Sequence, residues 1–200
     1  MKLIAAFFKL VRWPNLVIIG VTQLLFYYSL VEPLYHKGIS THFNSIHFLL
    51  LIIASVLIAA AGYIINDYFD LNIDQVNKPA KLVIDKDIKR RWAIVQHILF
   101  SLAGIFISFY IDLTSKTFWL GFSNFVCVFL LFGYSITLKR KLLIGNVLIS
   151  ALTAWVIIVA FLCYYNSFYC VSCDHSFLDT YNRRFIRIYC FMQVLLLPFH

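Results

Sequence analysis

The chain has 200 residues, of which 62% are hydrophobic and only 13% charged, and its formal net charge is +8. An ordinary soluble domain is about 45–50% apolar and about 25% charged. Together with a mean hydropathy of +0.85, this composition excludes a water-soluble globule, a disordered chain and a collagen-like fibre, and it predicts a membrane-embedded protein.

Five uncharged runs are long enough to predict membrane-spanning helices, each of which needs about 20 largely apolar residues. In chain order, the predicted helices cover residues 14–34, 46–66, 93–111, 118–138 and 142–165. The runs are continuously apolar, whereas the strands of a membrane β-barrel alternate apolar and polar residues over about ten positions. The sequence therefore predicts an all-α, polytopic bundle of about five transmembrane helices.

The basic residues predict how this bundle is oriented, because Lys and Arg in short loops stay on the cytoplasmic side of a membrane. Twelve of the 17 basic residues precede the first helix or follow the second and fourth, while the two loops between these positions contain only Lys37 and Lys116. We therefore predict an integral protein of the cell (inner) membrane with a cytoplasmic N-terminus.

The end of the second helix contains a cluster of oxygen ligands formed by Asn66, Asp67, Asp70 and Asp74. If the helix continues through them, the turn of about 100° per residue places all four within an arc about 100° wide. Clustered carboxylates repel one another and are costly to bury, and a bound cation removes both problems. Oxygen ligands without Cys or His favour a hard metal, Mg²⁺, with Mn²⁺ as the alternative.

A group of basic residues follows these acids in the same loop: Lys78, Lys81, Lys86, Lys89, Arg90 and Arg91. Mg²⁺ usually bridges one or two carboxylates to the phosphates of a substrate. Acidic residues that can hold the metal, next to basic residues that can hold phosphate, therefore predict a diphosphate site at the membrane surface. The alternative is a solvated loop whose acids pair with its own Lys and Arg side chains.

The spacing Asn66-Asp67-x-x-Asp70-x-x-x-Asp74 resembles the first aspartate-rich motif of the UbiA-type intramembrane prenyltransferases. Three further segments resemble the family's first helix, its Asn-x-Pro-x-Arg loop and its Tyr…Lys diphosphate-binding segment: Arg12-Trp13-Pro14-Asn15, Asn77-Lys78-Pro79-Ala80-Lys81, and Gly133-Tyr134-Ser135 through Lys139-Arg140. The resemblance covers about residues 3–165 and implies the N-terminal part of a nine-helix fold.

The resemblance implies a Mg²⁺-dependent transfer of a prenyl group from a prenyl diphosphate to a lipophilic acceptor, either geranylgeranylglyceryl phosphate or an aromatic quinone precursor. It implies Asp67, Asp70 and Asp74 as the catalytic residues and, together with Asn66, as the metal ligands. The implied diphosphate ligands are Asn66, Lys78, Lys81, Tyr134, Lys139, Arg140 and Arg12. The loop after helix two is most similar to the geranylgeranylglyceryl phosphate geranylgeranyltransferases. The implied surroundings are a lipid bilayer, with no nucleic-acid partner.

The chain departs from the family pattern after the fifth helix. Members carry a second acidic motif of two Asp separated by three residues, whereas Asp174 and Asp179 are spaced one position more widely. Arg183, Arg184 and Arg187 would also lie on the outer side. We therefore divide the chain into a partial transmembrane domain, 1–165, and an atypical tail, 166–200. A frameshift is one hypothesis for the tail, and sequencing the locus for a downstream frame with four more helices tests it.

Two alternative functions remain open. The first is a catalytically incomplete membrane fragment that at most binds diphosphate. The second is a channel or transporter that uses the acids as a cation site. The second is disfavoured because the predicted third to fifth helices are uncharged through their centres, whereas transport pathways place ionisable residues near mid-membrane.

Overall fold

A computed structural model describes residues 2–32, 39–41, 43–77, 83–86, 88–115, 119–140 and 142–170. In chain order the elements are α1 (Lys2–Leu10), α2 (Trp13–Phe26) with a π-helical turn (Tyr27–Val31), β1 (Ile39–Thr41), α3 (Ser45–Asn77), α4 (Arg90–Ser115), α5 (Leu120–Ile136), a 3₁₀ turn (Leu138–Arg140), α6 (Leu142–Ser167) and β2 (Phe168–Cys170). The predicted all-α bundle is confirmed.

Each of the five long helices overlaps one of the five predicted spans. Four segments are long and apolar enough to cross a membrane: Trp13–Val31, Ser45–Asn72, Arg90–Ser115 and Gly145–Tyr164. Helix α5 is also apolar but shorter, with 17 residues. Large apolar side chains such as Phe106, Leu113 and Phe129 are more than two-thirds exposed on the outside of the bundle. Such a surface is suited to lipid rather than to water.

Helix α3 is the centre of the bundle, because it packs against α2, α4, α5 and α6. Its closest neighbour is α4, and Gly104 makes this approach possible. A Cβ atom at that position would lie 2.7 Å from Ile58 Cγ1 and 3.2 Å from the Ala54 carbonyl oxygen. Small residues at such positions allow membrane helices to pack closely.

Two apolar cores stabilise opposite ends of the bundle. The distal core joins α2, α3 and α6 through fully or almost fully buried residues that include Phe26, Leu51, Val159 and Tyr164. The proximal core joins α1, α3, α4 and the segment 83–88, and it includes Leu10, Ile64, Leu71, Ile84 and Ala93.

Three local features were not predicted from the sequence. Helix α1 is amphipathic; its Ala6 and Leu10 are buried, and its apolar residues Leu3, Ile4 and Phe8 are exposed. Strands β1 and β2 form an antiparallel pair in which Ile39 lies opposite Cys170 and Thr41 opposite Phe168.

The third feature is the carboxylate of Asp112 near the end of α4, which accepts hydrogen bonds from the backbone N–H groups of Leu120 and Gly121 at 3.2 and 2.7 Å. These donors belong to the first turn of α5 and have no partner within the helix, so Asp112 caps that helix across the loop.

Candidate functional site

Helix α3 continues without a break from Ser45 to Asn77, through the whole acidic segment. The prediction that Asn66, Asp67, Asp70 and Asp74 lie on one side required the helix to continue through them, and it does. Residues four apart on a helix lie on one face, and accordingly Asn66 Nδ2 donates a hydrogen bond to Asp70 Oδ2 at 3.3 Å. Asp74 lies one further turn along the helix, and its side chain is outside the described residues.

Arg12 brings the start of α2 to this face of α3. Its Nη2 atom lies 2.8 Å from Asp67 Oδ1, and its guanidinium carbon lies 5.4 Å from the centre of the Tyr63 ring. The Arg12 backbone is left-handed, with φ 52° and ψ 54°, a conformation that is uncommon for residues other than Gly. Pro14, in the first turn of α2, fits the helix start because that turn needs no backbone donor.

Lys139 approaches the same face from the 3₁₀ turn between α5 and α6. Its Nζ atom donates to the Asp70 carboxylate and lies 3.2 Å from Asn66 Oδ1. Lys139 and Asp70 are separated by 69 positions in the sequence. Three distant segments therefore meet in one charged group formed by Arg12, Asn66, Asp67, Asp70 and Lys139, which we call the ionic site.

The ionic site combines ligands for a hard cation with ligands for an anion. The Asp67 and Asp70 side chains are 27% and 18% exposed, so both carboxylates remain accessible from solution. Their oxygens and the Asn66 amide oxygen are the donor type that Mg²⁺ and Mn²⁺ prefer, so these residues fit such an ion. Within the described residues, no three His, Cys, Asp or Glu side chains are grouped as a metal site.

A cavity of about 590 Å³ extends from the ionic site into the bundle, between α2, α3, α5 and α6. Arg12, Asn66, Tyr134 and Lys139 are among the residues that line it at the charged end. Further along, the walls are mainly apolar and include Ile58, Ala59, Leu131, Ile149 and Leu152. The arrangement is a charged opening above a long apolar chamber, which suits a ligand with an anionic head and a hydrocarbon tail.

The remaining predicted site residues are distributed as follows. Tyr134 lines the cavity near Lys139. Arg140 ends the 3₁₀ turn, and its side chain is outside the described residues, as are Lys78 and Lys81. Arg90, from the basic group after α3, donates instead to Asp85 Oδ2 from Nε at 3.0 Å and Nη2 at 2.6 Å. Arg90, the first residue of α4, therefore pairs with an acid outside the ionic site.

Several residues that line the cavity were not predicted from the sequence. Tyr63, which stacks under Arg12, and Ser55 lie on α3 at spacings of three and eleven residues before Asn66. Asn124 and Trp155 line the cavity from α5 and α6. The available signal was a polar side chain inside an apolar run, as at Ser55 and Asn124, because such residues are costly in a membrane and often functional.

Comparison with known families gives one match that covers most of the chain. The sequence profile of the UbiA prenyltransferase family matches residues 38–199. This range includes the acidic motif of α3, and it also includes residues 166–199. The division at residue 165 remains a prediction.

Curated relatives are named digeranylgeranylglyceryl phosphate synthase. The protein from Sulfolobus acidocaldarius is 38% identical over 120 residues, which are 56% of this chain and 40% of the relative. The protein from Pyrococcus horikoshii is 33% identical over 150 residues, 74% of this chain and 49% of the relative. The chain therefore spans about half the length, or less, of these relatives.

One solved structure has the same fold over most of the chain. It was reported as "Structural and mechanistic insights into the biosynthesis of Digeranylgeranylglyceryl phosphate synthase in membranes". The TM-score is 0.67 at 22% sequence identity, with 82% of this chain and 54% of that chain covered. At this identity the match shows the fold.

Proposed function

Because the chain belongs to the UbiA prenyltransferase family, we propose that it binds a prenyl diphosphate and transfers the prenyl group to a lipophilic acceptor in the membrane. The single observation that supports this most strongly is the meeting of two Arg/Lys–Asp ion pairs, Arg12 with Asp67 and Lys139 with Asp70, at the mouth of the apolar cavity.

The acidic residues are the proposed metal ligands. Asp67, Asp70 and Asp74, together with Asn66, would hold Mg²⁺, or Mn²⁺ in its place. Such an ion, when bound, would neutralise the charge that develops on the leaving diphosphate. The carboxylates of Asp67 and Asp70 are already directed toward cationic groups in the structure, so they are arranged to face positive charge.

The basic residues are the proposed diphosphate ligands. Arg12 offers a planar pair of N–H donors, which suits a phosphate better than a single ammonium does. Lys139 adds a second positive charge at the same face of α3, and Tyr134 is a neutral donor that lines the cavity with it. Lys78, Lys81 and Arg140 complete the proposed set.

The cavity walls would hold the hydrocarbon tail and keep water from the allylic carbon. Apolar side chains such as Ile58, Leu131 and Leu152 line this path, and a hydrocarbon tail packs against such side chains through van der Waals contacts. Excluding water protects a reactive carbocation from hydrolysis. The similarity to synthases of digeranylgeranylglyceryl phosphate favours a geranylgeranylglyceryl phosphate acceptor over an aromatic quinone precursor.

The chain is an integral membrane protein with several long apolar helices. We propose the cell (inner) membrane, with the N-terminus and the ionic site on the cytoplasmic side. The support is the distribution of Lys and Arg, which are concentrated at the end of the bundle that contains Arg12 and Lys139.

A second candidate function is diphosphate binding without prenyl transfer. It is favoured by the presence of one aspartate-rich motif where the resemblance implies two, since a two-metal clamp stabilises both sides of a displacement. The ionic site alone would then bind the diphosphate head, and the cavity its tail.

An assay in lipid nanodiscs tests both candidates. The purified chain is given a labelled prenyl diphosphate, Mg²⁺ and geranylgeranylglyceryl phosphate, and bound label and lipid product are measured separately. Product that is lost in Asp70→Asn but retained in Asp85→Asn supports the transferase, because Asp85 is an acid paired with Arg90 outside the site. Binding without product supports the second candidate, and equal binding by the wild type and Asp70→Asn contradicts both.

A further inference from the structure

Arg12 has two partners on one turn of α3. Its Nη2 atom donates to Asp67 Oδ1 at 2.8 Å, and its guanidinium carbon lies 5.4 Å from the centre of the Tyr63 ring. Tyr63 and Asp67 are four residues apart, so their side chains lie on the same face of the helix. A cation within about 6 Å of an aromatic ring centre is attracted by the negative face of the ring. The ring and the carboxylate therefore both hold the guanidinium where it lines the cavity.

The two partners use the guanidinium differently. The Asp67 carboxylate occupies one of its N–H donors and offsets its charge, whereas an aromatic face leaves the in-plane donors and the charge available. A guanidinium has five N–H donors, and the Arg12 side chain is 47% exposed. Held by Tyr63 alone, Arg12 keeps its charge and its donors for an anionic ligand.

Asp67 cannot hold Arg12 and a metal ion equally well. Its carboxylate is one of the proposed ligands of Mg²⁺, and a dication there would repel the guanidinium and offset the negative charge that attracts it. The Tyr63 ring is not a proposed metal ligand, so its contact with Arg12 does not compete with metal binding. Tyr63 is therefore the partner that stays available to Arg12 when the acidic residues hold a metal ion.

The packing of α3 fixes the position of the Tyr63 ring. On one side of this turn, the backbone carbonyl oxygen of Ala61 lies 3.0 Å from Nδ1 of His97 in α4. On the other side, a Cβ atom at Gly62 would lie 3.1 Å from Leu131 Cδ1 in α5. Such close contacts on both sides leave this part of the helix little room to shift. The ring is a fixed surface against which a long, partly exposed side chain can be held.

We propose that Tyr63 is a positioning residue for diphosphate binding, because its ring holds the Arg12 guanidinium at the cavity mouth while Asp67 binds the metal ion. This inference rests on the proposed function, since it requires Mg²⁺ and the diphosphate at the ionic site. Without the ring, the diphosphate itself would have to order the Arg12 side chain, and the entropy lost in ordering it lowers the affinity.

Titration of inorganic pyrophosphate into the full chain in nanodiscs, with Mg²⁺ present, tests the role of the ring. We expect Tyr63→Leu to lower the affinity about two- to fivefold, or about 0.4–1 kcal/mol, since cation–π contacts at exposed sites are of this strength. Tyr63→Phe retains the ring and should bind as the wild type does. Tyr68→Leu is the matched control, because Tyr68 is on the same helix but packs against the proximal core.

A double-variant cycle separates the positioning of Arg12 from a merely structural role of Tyr63. In the Arg12→Ala background, Tyr63→Leu should cause no further loss, because the ring then has no guanidinium to hold. Tyr63→Leu should also leave the affinity for Mn²⁺ alone within about twofold of the wild type, as measured by electron paramagnetic resonance, because the acidic ligands remain in place.

Fluorinated phenylalanine at position 63 tests the ring with little change in its shape. One, two or three fluorine atoms withdraw electron density from the ring face, so each weakens a contact that depends on the negative charge of that face. We expect the affinity for pyrophosphate to fall stepwise along this series. In the Arg12→Ala background it should stay constant.

The outcomes separate this inference from the proposed function. The role of Tyr63 is overturned, while Mg²⁺-dependent pyrophosphate binding remains, by any of four results: no loss in Tyr63→Leu, an equal loss in Tyr63→Phe, a loss that persists in the Arg12→Ala background, or an affinity that fluorination leaves unchanged. A parallel loss of Mn²⁺ affinity in Tyr63→Leu would assign the effect to the acidic ligands and overturn it as well. Absence of Mg²⁺-dependent pyrophosphate binding in the wild type overturns the proposed function and the inference with it.

Discussion

The guanidinium of Arg12 lies 2.8 Å from the carboxylate of Asp67, across 55 positions of sequence. This contact joins the start of α2 to the acidic segment of α3, and the Tyr63 ring lies against the guanidinium. Arg12 is thus held by a carboxylate and an aromatic face while its backbone occupies the left-handed region. Such a conformation costs about 1–3 kcal/mol and is often found at functional sites.

We expect Arg12→Ala to reduce the affinity for inorganic pyrophosphate in the presence of Mg²⁺ by about tenfold, or about 1.4 kcal/mol. Hydrogen bonds from a charged donor are among the strongest that a phosphate receives. Arg12→Lys should give an intermediate loss, since it keeps the charge without the planar pair of donors. Isothermal titration measures both. Arg90→Ala is the matched control, and an equal loss there would show that general charge, not position, is responsible.

Lys139→Met should have opposite effects on two ligands. Lys139 neutralises Asp70 in the structure, so its removal frees a carboxylate and should raise the affinity for Mn²⁺ alone by about two- to fivefold, since a partly exposed ion pair contributes about 0.2–1 kcal/mol. The same change should weaken pyrophosphate binding. Electron paramagnetic resonance of Mn²⁺ measures the first effect. A decrease for both ligands would contradict the account of Lys139 as a counter-ion to Asp70.

Asp112→Ala should lower thermal stability without changing pyrophosphate affinity. The carboxylate accepts two backbone hydrogen bonds at the start of α5, and loss of a helix cap costs about 1 kcal/mol. Asp112 is at the opposite end of the bundle from the ionic site. Thermal unfolding in detergent is the measurement, with Asp85→Asn as the control that should unfold at the wild-type temperature.

Gly104→Ala should destabilise the bundle, whereas Gly133→Ala should not. The new methyl group at position 104 would lie 2.7 Å from Ile58 Cγ1, while a Cβ atom at position 133 meets nothing within 4 Å. Overpacking of this kind typically costs about 1–3 kcal/mol. Thermal unfolding compares the two variants, and equal midpoints would show that α3 and α4 can separate without loss.

The helices were predictable because membrane spans are defined locally, by continuous apolar runs. The residues at which the helices end were less predictable. The predicted second helix ends at residue 66, where charge begins, but α3 continues to Asn77 because backbone hydrogen bonding does not stop at the membrane boundary. Helix α1 was missed because it is too short to span and its pattern is amphipathic instead of uniformly apolar.

The ionic site was predictable as a set of residues but not as a set of contacts. Asn66, Asp67 and Asp70 fall on one helical face by their spacing alone. That Arg12 pairs with Asp67 and Lys139 with Asp70 depends on how α2 and the turn after α5 pack against α3, and local periodicity does not determine the rotation of one helix about another. The same limit applies to the hydrogen bond between Gln23 and Ser55, which are isolated polar residues in separate apolar runs.

Isothermal titration of inorganic pyrophosphate into the full chain, with and without Mg²⁺, tests directly whether the end of α3 holds a diphosphate site. We expect binding that requires Mg²⁺, that is lost in the double variant Asp67→Asn/Asp70→Asn, and that survives in Asp85→Asn. Binding that is independent of Mg²⁺, or that is unchanged in the double variant, would contradict a diphosphate site at the end of α3.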